Sequence, residues 1–221
     1  MIPTLDQPTV TWLLYLKKPD EIYCVIEMGK TNRNGQAASL TPEQLDTIIA
    51  QCAPLFQTVL SMCRFTACRV TESLSLRWEN VLADCVVFPR AIVKKKTKTR
   101  SVPINAKLQL VLEKWREAWP QHFGRKPEKS DYLFPKEKNV TEHLLRQRVD
   151  DALRQACARA GLGNVGVSTH SLRRSALTQA SAAGIPTRSI QVLSGHSSLE
   201  QLQRYIDTTD EQKKQAANTF G

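Results

Sequence analysis

Long hydrophobic runs are missing from this chain. Its apolar stretches, such as WLLYL at 12–16, hold only a few residues, far short of the roughly 20 that a membrane-crossing helix needs. Asp6 interrupts the start of the chain before any apolar segment, so no export signal is read there. These absences lead us to expect an intracellular protein without a membrane partner. Also absent is any Cys-x-x-Cys pair among Cys24, Cys52, Cys63, Cys68, Cys85 and Cys157. Irregular spacing argues against a zinc site or a disulfide framework, so the cysteines read as small reduced thiols and no metal site is expected. Aromatic residues make up only 6%, which disfavours a base-stacking platform for single strands. Acidic residues are in deficit, with 21 Asp+Glu against 31 Lys+Arg and a net charge of +10. Such an excess favours a polyanionic partner, because each neutralised phosphate releases counterions.

The punctuation of the remaining sequence indicates a mainly α protein with a small antiparallel β-sheet (α+β). Residues 1–40 read as an unassigned N-terminal extension or linker, and 41–221 as one domain with a C-terminal tail. Thr41-Pro42 opens a helix whose apolar positions are Leu45, Ile48, Ile49 and Cys52. A second helix is expected at about 55–66. Three short strand candidates follow at 84–88, 91–96 and 100–104, as a meander. Beyond them the pattern is helical throughout: 106–118, stopped by Pro120, then 141–160, 171–183, 186–193, 199–206 and 209–217.

Four stretches could carry chemistry. In TACRVTESLSLRW, Arg69 and Glu72 are three apart, which is a surface ion pair or a rigidly held phosphate fork. RAIVKKKTKTRSVPI gathers Arg90, Lys94, Lys95, Lys96, Lys98 and Arg100 without an acid, as a solvated face or a phosphate-contacting hairpin. STHSLRRS places His170 and Arg173 near a helix N-terminus, where an anion is stabilised. The last is LSGHSSLEQLQRYID. Along one continuous helix, nine residues at about 100° each would set His196 and Tyr205 on opposite faces. Gly195 and a cap at Ser198 break that helix, so a turn can bring both to one site.

Taken in order, T-A-C-R-V-T-E, a lysine-bearing hairpin, H-S-L-R, L-S-G-H and a tyrosine nine residues later resemble the tyrosine recombinase (phage integrase) family over roughly 41–210. The family hairpin K-x-x-K-x-R-x-V-P puts its lysine eight residues before Pro103, at Lys95, with Lys96 as the nearest rival. One departure is the family glycine before the first arginine, replaced here by Ala67-Cys68, which could alter the local backbone. The resemblance implies the family's catalytic-domain architecture and a site-specific recombinase that needs neither metal, cofactor nor ATP. Tyr205 would attack a DNA phosphodiester and form a 3′-phosphotyrosine bond. Arg69 and Arg173 would stabilise the transition state, with Glu72 orienting Arg69. Lys95 would protonate the leaving oxygen, while His170 and His196 would serve proton transfer and phosphate binding. Arg90, Lys94, Lys96, Lys98, Arg100 and Arg174 would contact DNA.

The implied partner is double-stranded DNA, bound as a homotetramer on two sites and as a monomer off DNA, with accessory DNA-bending proteins as candidates. The implied location is cytoplasmic, on the nucleoid in a prokaryote. About 40 residues before the domain cannot hold the family's DNA-clamping domain. Two rivals remain: a non-enzymatic helix-turn-helix protein reading DNA through 186–206, and a type IB topoisomerase-like enzyme.

Overall fold

Capping residues decide where the helices begin. The computed structural model describes residues 37–93, 98–137, 139–206, 208 and 210–219. Helix α1 (Pro42–Ala50) starts at Thr41, whose hydroxyl accepts from Gln44 N while the Gln44 side chain accepts from Thr41 N. Helix α2 (Pro54–Thr66) has a proline at its first position, where the missing N–H costs nothing. It is the central helix, packed against α1 and the later helices α4 (Ala106–Phe123) and α6 (Thr169–Ala182). Val59, Leu60, Met62 and Cys63 of α2 are fully buried among Leu45, Ile48, Leu108, Trp115, Trp119, Val149, Leu153 and Leu172. Ala38 and Leu40 also lie in this core, and Leu40 N donates to Ser175 Oγ at 2.7 Å. The folded unit therefore takes in residues that the sequence had left in the N-terminal segment.

A short helix α3 (Val70–Leu74) leads to a hairpin of β1 (Cys85–Phe88) and β2 (Arg100–Pro103), antiparallel with Phe88 opposite Arg100. The expected middle strand at 91–96 is not seen in its described part: Ala91 to Val93 form a turn, and Lys94 to Lys96 lie outside the described residues. Helix α4 does not stop before Pro120 but continues to Phe123 and ends at left-handed Gly124. Trp115, Trp119 and Phe123 stack on one another on this helix, with Trp119–Phe123 centroids 4.4 Å apart. That packing outweighs the hydrogen bond a proline forfeits.

A second hairpin, β3 (Pro135–Lys136) and β4 (Asn139–His143), occupies the start of what reads as helix from 141. The helix α5 spans Arg146–Arg159. Helices α7 (Thr187–Ser194), α8 (Leu199–Gln203) and α9 (Asp210–Asn218) complete the chain. A second, smaller core joins Leu177, Ile190 and Leu202, with Ala67, Ala180, Tyr205 and Ile206 against it. No described helix is long and apolar enough to cross a membrane. Cys52, Cys63, Cys68, Cys85 and Cys157 are all free thiols.

Candidate active site

A cavity of about 660 Å³ opens where α3, α6 and the α7–α8 turn meet. Arg69, His170, Arg173, His196 and Tyr205 all line it, and among the described residues none that lines it is acidic. The five side chains come from four separate segments, so the fold alone brings them together.

Arg69 is the N-cap of α3, and Glu72 holds it from the helix's first turn. Glu72 Oε1 accepts from Arg69 Nη1 at 2.8 Å and Oε2 from Arg69 N at 3.1 Å. The pair is thus a cap geometry rather than two side chains stacked on one helix face. Glu72 is almost fully buried. Burial alone raises its carboxyl pKa, but the charge of Arg100 and the hydrogen bonds from Arg69 outweigh that and hold it below the ordinary carboxylate value.

The turn before Arg69 carries backbone strain. Ala67 sits in the left-handed region at φ 49°, ψ 27°. This is the position at which the resemblance places a glycine, and a left-handed conformation is one that glycine adopts without strain. The Ala67 carbonyl accepts from Arg173 Nη1. Arg173 also donates through Nη2 to Ser194 O at 3.0 Å. With 1% of its surface exposed, Arg173 has its pKa lowered to about 10 by burial and by the charge of Arg69, and it stays a cation at neutral pH.

Arg173 Nη2 lies 3.0 Å from Nε2 and 3.3 Å from Nδ1 of His196. Ser194 Oγ is 2.7 Å from His196 Nδ1 and 3.3 Å from Gln191 O. That network assigns the proton to Nδ1 and leaves Nε2 as an acceptor. Burial, followed by the charges of Arg173, Arg69 and Arg100, drives the imidazole down to about 3. His196 is therefore neutral at physiological pH.

Tyr205 lies in the turn after α8, not on the helix expected over 199–206. Ser198 caps α8 by accepting from Gln201 N at 3.3 Å, while Gln201 Oε1 turns to Ser197 Oγ. The Tyr205 ring sits 5.1 Å from the His196 ring and 5.7 Å from Arg173 Cζ. Gly195 at φ 70° makes the reversal between α7 and α8.

Two expected DNA contacts point the other way. The Arg174 guanidinium is buried and donates to Arg204 O at 3.3 Å, because one step along α6 from Arg173 turns it into the protein. It helps hold the turn that carries Tyr205, as does Thr178 Oγ1, which donates to Tyr205 O at 3.2 Å. Arg100 is buried as well and pairs with Glu72, Nη2 to Oε2 at 3.0 Å. Arg90 and Lys98 are exposed beside the hairpin. Lys94, Lys95 and Lys96 lie outside the described residues. Sequence reasoning overlooked Arg146 and Arg204, which both line the cavity. Arg204 is legible afterwards as Tyr205's neighbour, whereas no local motif marks Arg146. Among the described residues, no group of three His, Cys, Asp or Glu side chains converges as a metal site would.

The phage integrase family model matches residues 38–212. The chain belongs to the phage integrase family. It is similar to tyrosine recombinase XerD of Rhizobium meliloti (strain 1021), 29% identical over 177 residues, which cover 80% of this chain and 54% of that one. Among solved structures, XerA recombinase superposes with a TM-score of 0.68 at 19% identity, covering 83% of this chain and 65% of that one. XerH site-specific recombinase bound to difH substrate gives 0.63 at 21% identity, covering 83% and 54%. At those identities the likeness carries the fold. The chain spans about half the length of the curated relatives it matches.

Proposed function

We propose that this chain is the catalytic part of a site-specific tyrosine recombinase that cuts and rejoins double-stranded DNA through a 3′-phosphotyrosine intermediate. The observation that carries the reading is the convergence of Arg69, His170, Arg173, His196 and Tyr205 on one cavity, lined by no acid among the described residues. A phosphodiester there meets preorganised cations, so charge developing on its non-bridging oxygens is stabilised without solvent reorganisation. Tyr205 Oη attacks phosphorus and the 5′-oxygen leaves with a proton, which Lys95 supplies. The covalent link conserves the bond for rejoining by another strand's hydroxyl. His170, at the N-terminus of α6, assists proton transfer at the tyrosine. His196, held neutral by burial and by three nearby arginines, is not a standing acid, and it donates to a phosphate oxygen only in the other tautomer, with its proton on Nε2. We further propose a homotetramer on two DNA sites, monomeric off DNA.

The helix-turn-helix rival finds less support. The 186–206 stretch does fold as two helices around a glycine turn, but α8 spans five residues and buries Leu202 beneath Tyr205. Type IB topoisomerase-like chemistry separates from recombination by product: relaxed supercoils without strand exchange.

A nicked suicide substrate tests the proposal. The wild-type chain traps a covalent DNA–protein adduct, and Tyr205→Phe binds the same DNA but traps none. An adduct formed by the phenylalanine variant would falsify Tyr205 as nucleophile.

A further inference from the structure

We infer that Arg100, which does not itself line the cavity, is a positioning residue that sets Arg69 through Glu72 and ties the lysine-bearing hairpin to both. The inference rests on the recombinase reading. Arg100 opens β2, directly after the lysine cluster. Its guanidinium lies 4.2 Å over the ring of Phe88, its cross-strand neighbour on β1. On another side it meets the α7–α8 turn: a Cβ added at Gly195 would fall 2.9 Å from Arg100 Nη1 and 3.2 Å from Cδ. Gly195 is thus required twice, for its φ of 70° and for the room its bare Cα leaves to this guanidinium.

Glu72 divides its oxygens between two cations. Oε1 takes Arg69 Nη1, while Oε2 takes Arg69 N and Arg100 Nη2. Arg69 is 20% exposed and faces the cavity, whereas Arg100 is 8% exposed and does not line it. Both arginines draw on one buried carboxylate, so the trio carries a net charge of +1 and Arg69 is not neutralised by its own support. Replacing Arg100 with a neutral group leaves Glu72 wholly to Arg69 and cancels the net charge of the trio, so Arg69 offers less to phosphate. Nε and Nη1 of Arg100 are buried with no acceptor among the described residues. A guanidinium placed only for stability would find acceptors there. Its placement is explained by the carboxylate it shares and the three segments it joins.

The test uses two DNA substrates, one with an ordinary scissile phosphate and one with a methylphosphonate there. The methylphosphonate lacks the anionic oxygen that Arg69 serves. Removing groups that orient a site's ligands typically costs about 10–100-fold, and Arg100→Met is expected to slow adduct formation on phosphate by that factor. On methylphosphonate its deficit relative to wild type should shrink to a few-fold, and Arg100→Lys should restore much of the phosphate rate. Equal deficits on both substrates, or no deficit on phosphate, would overturn the inference. If Arg100→Met does not fold, the same ratio measured on Arg100→Lys decides, again through a deficit larger on phosphate. Failure of the recombinase reading looks different: the wild-type chain then forms no adduct on either substrate.

Discussion

The two halves of the cavity are built to different tolerances. On the arginine side, Arg173 is fixed to two backbone carbonyls and His196, and Arg69 is fixed to Glu72 by both side chain and backbone. On the tyrosine side, Tyr205 sits in a turn after a five-residue helix, above a small core whose buried members are Leu177, Ile190 and Leu202. The comparison teaches a division of labour. On the proposed function, charges are preorganised before DNA arrives, whereas the tyrosine moves to make and break a covalent bond. A large core supports the first requirement, and a small one permits the second.

That contrast can be broken from either side. Glu72→Gln keeps the shape but leaves two arginines without their buried counter-charge. It should cost about 3–5 kcal/mol in urea unfolding, the usual toll for removing one partner of a buried pair. Leu202→Ala should cost about 2–5 kcal/mol, with the loss concentrated locally. Amide exchange across 187–206 should accelerate more than exchange in α2. Uniform acceleration throughout the chain would mean that the two cores unfold as one.

Acidification probes the arginine side alone. His196 titrates at about 3 in the folded chain, against 6.5 for an ordinary histidine. Below about 6.5 the unfolded chain therefore binds a proton that the folded chain refuses, and stability falls as pH drops toward 3. Between pH 7 and pH 5, where the carboxylates are still ionised, the expected loss is about 2 kcal/mol. His196→Asn should flatten that slope, and an unchanged slope would show that His196 is not the group responsible. The smallest effect concerns the carbonyl that holds Arg173. Ala67→Gly relieves a left-handed alanine and should raise stability by about 1 kcal/mol, read as a higher thermal midpoint.

The sequence disclosed helix starts where capping is local: Thr41 and Ser198 each announce the turn they begin. It disclosed the five cavity residues through their order along the chain. Other features depended on contacts between distant residues. The β4 strand is largely exposed, so no alternation of apolar residues betrayed it. Pro120 stays inside α4 because aromatic packing around Trp119 holds the helix together. The burial of Arg100 and Arg174 was not legible because a count of charges does not say which way a side chain faces. Arg146 reaches the cavity only through the packing of α5.

The aromatic stack in the main core has a practical consequence. Trp78 and Trp115 both meet Trp119 edge-on, with centroids 5.5 and 5.6 Å away. These are three of the chain's four tryptophans, and none lines the cavity. With Trp12 replaced by Phe, ultraviolet emission becomes an optical gauge of the main core. The tyrosine's turn could then loosen, react and close again without changing the signal.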